Sequence, residues 1–166
     1  MRTRPTTATL AAPALLGGAA RVALGILWLL EGLLKYRAGF GAADIEFVIH
    51  GAATNSRVPG YFAAFADTVM RPAPALFGVA MPLLETALGV ALILGVLTRA
   101  AALMSVLTLL LYWSADQLIW QYPVMLGLSV VVIAWPNAAR ALSVSALVER
   151  RIPCLRSAPA PLRVWL

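Results

Sequence analysis

Four ionisable side chains stand inside apolar runs of this 166-residue sequence: Arg21, Glu31 and Lys35 in one run and Glu85 in another. A carboxylate at mid-depth in a bilayer costs about 2.5 kcal/mol or more unless it meets a partner, a proton or water. The run around Glu85, PALFGVAMPLLETALGVALILGVLTR from Pro74 to Arg99, is long enough to cross a bilayer. The first question is therefore which group meets Glu85.

Depth suggests Arg21. At 1.5 Å per residue Glu85 lies roughly 18 Å from the cytoplasmic end of its helix and Arg21 roughly 10 Å from that of the first helix, a gap that a guanidinium stem bridges. An Arg21 to Glu85 pair, with Ser105 beside it, is the expected midplane level. A second, outer level about 25 Å up is expected to hold Glu31, Lys35, Asp116 and Gln121, with His50 from a loop. Glu31 and Lys35 stand at i and i+4, the favoured orientation for a helical ion pair.

Two uses fit such groups. One is purely structural, an ion pair that fixes helix register. The other is a pocket for a redox or ligand group: a quinone head group needs hydrogen-bond donors on its carbonyls and a titratable group for the accompanying protons. On that reading Glu85, Arg21 and Asp116 are the catalytic candidates, and Tyr112, Trp28 and Ser105 the candidates to line the bound group. Glu31, Lys35 and Arg99 are assigned to structural ion pairing. A single histidine excludes bis-His haem, and the single Cys154 excludes an intrachain disulfide or thiolate cluster. No metal or haem is expected, and no nucleotide loop, nucleophile elbow or HExxH pattern is present.

The elements that must position these groups are helices. Residues 14–36 form the first, with Arg21, Gly25, Trp28, Gly32 and Lys35 on one face. Residues 74–97 form the second, with Gly78, Pro82, Glu85 and Gly89 on a small-residue face. Residues 100–115 carry the polar stripe Ser105, Thr108, Tyr112 and Asp116, and residues 119–135 form the fourth helix. Tyr112, Trp113, Trp120 and Tyr122 at one end and Trp135 at the other read as interfacial belts. The long connection 37–73 is too charged to span and is expected to hold two interfacial amphipathic helices, about 42–53 and 60–70, as a cover.

The expected fold class is thus all-α: an integral membrane four-helix transmembrane bundle with short interfacial helices in the first outer loop. It is flanked by a mobile lead, 1–13, and a basic tail, 137–166. A 61% hydrophobic composition is well above the soluble range. The net charge of +6 comes from residues at segment ends and tails, which speaks for membrane topology and lipid as partner and against nucleic acid. With Arg2, Arg4, Arg99, Arg140, Arg150, Arg151, Arg156 and Arg163 on one side, both termini are expected in the cytoplasm of a multi-pass cell-membrane protein. The lead imitates a signal peptide. Cleavage after Ala20 would leave the following run too short to span, so the uncleaved form is expected.

Three stretches carry a family resemblance: RVALGILWLLEGLLKY, MPLLETALGVALILGVLTRAAAL and QYPVMLGLSVVVIAWP. Within them Arg21, Gly25, Gly32 and Lys35, then Glu85, Gly89, Gly95 and Arg99, resemble the DoxX/DoxD family of small four-helix membrane proteins. The resemblance implies a membrane subunit like the small subunit of thiosulfate:quinone oxidoreductase, linking a partner oxidoreductase to the quinone pool, or a homo-oligomer. A non-catalytic scaffold or assembly subunit and a small-molecule or lipid carrier are the alternatives.

Overall fold

The structure is a computed structural model that describes residues 7–140 and 143–151. Cys154, the first six residues of the lead and the end of the tail lie outside the described residues. Eight α-helices and one π-helical turn account for nearly all of what is described, with no strand among those residues. They are α1 (Thr7–Ala38), α2 (Ala42–Thr54), α3 (Gly60–Phe65), the π turn (Ala66–Met70), α4 (Pro74–Leu94), α5 (Thr98–Ser114), α6 (Gln121–Ala134), α7 (Pro136–Arg140) and α8 (Val144–Arg151). Residues 7–13, expected in a mobile lead, are helical, consistent with their alanine content.

Helix ends follow local chemistry. Pro74 opens α4, where its missing N–H costs nothing. Gly95 closes it in the left-handed region, φ 71°, and the Val96 N–H reaches back to the Ala91 carbonyl at 2.9 Å. Pro136 does not simply end the fourth apolar run. It opens α7, which turns back onto α1.

α1 and the 21-residue α4 are long and apolar enough to cross a membrane. α5 and α6 are shorter, 17 and 14 residues, or roughly 25 and 21 Å at helical rise. All four supply one core, in which Leu24 and Trp28 of α1 meet Leu88 and Leu92 of α4, Leu109 and Tyr112 of α5, and Tyr122 and Met125 of α6.

The closest packing is between α1 and α4, which run antiparallel with backbones nearly touching. A Cβ added to Gly89 would lie 2.6 Å from the Leu29 nitrogen, and one added to Gly25 would lie 2.9 Å from the Gly89 oxygen. Only glycine permits this approach. Gly32 in turn abuts Thr86 and the Pro82 carbonyl. This register places Glu31 and Lys35 of α1 beside the middle of α4 and Arg21 beside its end.

α2, α3 and the π turn make a cover with its own small core, Ile45, Ile49, Ala52, Phe62, Ala66 and Met70, against which Phe65, Phe77 and Leu111 lean. Hydrogen bonds tie it to the end of α5. Asn55 donates to Asp116 at 2.7 Å, Arg57 pairs with Asp116 at 2.6 Å, and the Tyr61 and Ser114 hydroxyls are 2.7 Å apart.

Candidate functional site

Glu85 is wholly buried, 0% exposed, on the face of α4 turned toward α1 and α5. Its Oε1 accepts from Lys35 Nζ at 2.6 Å and from the Tyr112 hydroxyl. Its Oε2 is buried and has no hydrogen-bond partner. Lys35 also reaches Glu31 Oε2, at 3.7 Å. Glu31 is held in turn by the Gln121 amide and, at 3.4 Å, by the Tyr122 hydroxyl. The result is one polar node, two carboxylates against one ammonium, closed by a phenol and an amide.

The members come from four helices. Glu31 and Lys35 are one turn apart on α1, Glu85 sits one turn after Pro82 on α4, Tyr112 lies in the last turn of α5, and Gln121 and Tyr122 are in the first turn of α6. The tyrosine rings of 112 and 122 stack with centroids 5.4 Å apart, and the Lys35 ammonium stands 5.3 Å from the Tyr112 ring centre.

Above the node is a cavity of about 70 Å³ whose lining includes Lys35, Tyr112 and Tyr122. The remaining wall is mostly apolar and aromatic, with Phe40, Phe65 and Phe77 among its residues. The ammonium of Lys35, with one N–H beyond those given to Glu85 and Glu31, can donate to a carbonyl of a flat, weakly polar ring beside this apolar wall, and the Tyr112 ring can flank it. A free carboxyl oxygen one bond further in can hold a proton.

The expected Arg21 to Glu85 pair is not formed. Arg21, 1% exposed, donates from Nε to the Ala139 carbonyl at 2.9 Å and from Nη1 to the carbonyls of Leu92 and, at 2.8 Å, Ile93. The last carbonyls of a helix have no partners of their own, and the guanidinium satisfies them where α4 stops. Glu85 lies about 11 Å further along the helix. Arg21 therefore has no place beside the node.

Asp116 is also elsewhere. At φ 56° just beyond α5 it binds Asn55 and Arg57, and so anchors the cover. Ser105 and Trp28 stand together below the node: the Trp28 indole N–H donates to Ser105 Oγ at 2.7 Å, and Ser105 and Ser129 hydroxyls are 2.8 Å apart. Trp28 reaches the node only through its ring contact with Tyr112, centroids 6.5 Å apart. Arg99, half-buried, is in the first turn of α5, and His50 is exposed on α2.

Tyr112 and Tyr122 are interior residues, 7% exposed each, whereas Trp113 and Trp120 from the same stretch are exposed. Of the four aromatic residues expected in a belt at that end, the two tyrosines instead turn inward to the node. Tyr122 and Phe65 carried no periodic signal that would have placed them at a site, since one opens a helix and the other sits in the cover.

No similarity to a curated protein or to a solved structure reaches significance. The sequence model of the DoxX family, however, matches residues 16–116, which contain Glu31, Lys35, Glu85 and Tyr112. That match covers more than half of the chain, and with apolar helices built around a buried polar node it establishes this membrane protein as a member of the DoxX family.

Proposed function

We propose that the chain is a multi-pass cell-membrane protein in which α1, α4, α5 and α6 form a four-helix bundle, both ends cytoplasmic, and that it couples a partner oxidoreductase to the membrane quinone pool. The observation that carries this is the placement of Lys35 and Tyr112, both bonded to the buried carboxylate of Glu85, on the wall of an apolar cavity. Arg99 and Arg140 lie toward the end where α4 stops, and the node lies toward the other, an arrangement that suits cytoplasmic termini.

A quinone, when bound, supplies two-electron, two-proton redox chemistry, with the electrons coming from the partner. Lys35 would hold the ring through a carbonyl, with the Tyr112 ring beside it. Two carboxylates against one ammonium leave the node one negative charge in excess, and a proton on Glu85 Oε2 balances it. Glu31, held by Gln121 and Tyr122, keeps Lys35 in place. The cavity of about 70 Å³ is smaller than the roughly 150 Å³ that admits benzene, so its wall must give for a ring to be held there. The π turn that supplies Met70 to the wall is the segment best suited to give.

One observation favours a structural role instead. The node is closed by hydrogen bonds at nearly every atom, as an ion pair that only fixes register would be. Glu85→Gln separates the two. The quinone-linked role requires loss of quinone binding and reduction at an unchanged amount of protein in the membrane. A scaffold role requires less folded protein, with whatever binding remains unaltered per molecule.

A further inference from the structure

Resting on the reading that the cavity takes a quinone ring, we propose that the groove between α5 and α6 seats the apolar tail of that ligand and is its entrance from the bilayer, with the Tyr122 ring as the partition. Two spaces in the molecule share this wall. The inner one is the cavity above the node. The outer one is a groove of about 240 Å³ walled by Leu109, Leu110, Trp113, Leu118, Pro123 and Leu126, and Tyr122 lines both. Its walls are hydrocarbon and aromatic, and Leu110, Trp113 and Leu118 are each about half exposed on the side that would meet lipid.

The other approach to the cavity is latched. From the aqueous side the cover is held to the end of α5 by the Asn55, Arg57 and Tyr61 contacts with Asp116 and Ser114. On the lipid side the groove is closed by apolar packing, and the start of α6 is held to the node through Gln121 and Tyr122. Tyr122 is restrained there by its 3.4 Å bond to Glu31, far longer than the 2.6 Å that joins Lys35 to Glu85. The segment between α5 and α6, 115–120, is not helical and can let the start of α6 shift. A ligand whose tail never leaves the bilayer needs no route through water, and a ring passing Tyr122 would arrive beside Lys35 and Tyr112 with its tail still in the groove.

The test is photolabelling of the full chain in phospholipid nanodiscs with a benzoquinone that carries a diazirine on the first carbons of a short alkyl tail. Excess tail-less benzoquinone serves as competitor. Competed labels on the peptides that contain Leu110, Leu118 and Leu126 are expected. Leu118→Trp and, separately, Leu110→Trp should each lower that labelling by about tenfold, the consequence of overpacking the groove with an indole. Competed labels confined to the cover overturn the groove alone, as does labelling that both tryptophan variants leave unchanged. Labelling that the tail-less quinone does not compete overturns the groove together with the ring site on which it rests.

Discussion

α1 carries two cations about four turns apart, Arg21 buried and Lys35 partly buried, and each meets α4, yet they do different things. Arg21 is engaged by backbone carbonyls of Leu92, Ile93 and Ala139. Lys35 is engaged by side-chain carboxylates of Glu31 and Glu85. A carbonyl cannot change its charge, so these contacts of Arg21 hold α4 and α7 in place. A carboxylate can gain or lose a proton, and the Lys35 end borders a cavity. The lesson is that a buried charge in a membrane helix declares its role through the kind of acceptor it meets.

The sharpest way to break this comparison is to remove each cation. Lys35→Met removes the ammonium that joins Glu31 to Glu85 and is expected to cost about 3 to 5 kcal/mol, read as lost thermal stability in detergent. Adding Glu85→Gln should recover a large part of that loss. Arg21→Met takes the guanidinium away from buried carbonyls of α4 and α7, with an expected loss of about 3 kcal/mol. Adding Glu85→Gln should recover none of it. Recovery in the second case would mean that Arg21 and Glu85 are coupled and that the two ends are one system. Arg21→Lys should fail to restore stability fully, because an ammonium lacks the planar fork that spans carbonyls of two helices.

Smaller effects sharpen the comparison. Gly89→Val pushes α1 away from α4 between the two cations and should cost about 1 to 3 kcal/mol, measured as melting temperature and membrane yield. Arg57→Ala, at the exposed latch of the cover, should cost under about 1 kcal/mol of stability. Its informative readout is faster amide exchange in α2 and α3, which an unlatched cover requires.

The helical class and the two long apolar helices were legible because 61% hydrophobic content arranged in runs has few other solutions. The i, i+4 spacing of Glu31 and Lys35 was legible for the same local reason, and their 3.7 Å contact is present. The partner of Glu85 was not. Counting rise from assumed helix ends put Arg21 within reach, but α1 extends to Thr7 and α4 stops at Gly95, and those ends set the levels. Nor could spacing tell that Tyr112 and Tyr122 turn inward while Trp113 and Trp120 turn outward.

By itself the sequence determined that this chain is helical and apolar, that four charged residues would stand in its apolar runs, and that glycines would line the faces carrying them. Those are properties of composition and of a 3.6-residue period. Only the tertiary structure decided which charge meets which, because that depends on the register between α1 and α4, set by where Gly25, Gly32 and Gly89 let two backbones touch. A shift of one turn along that contact would carry Lys35 past Glu85, and no local pattern in the chain encodes that turn.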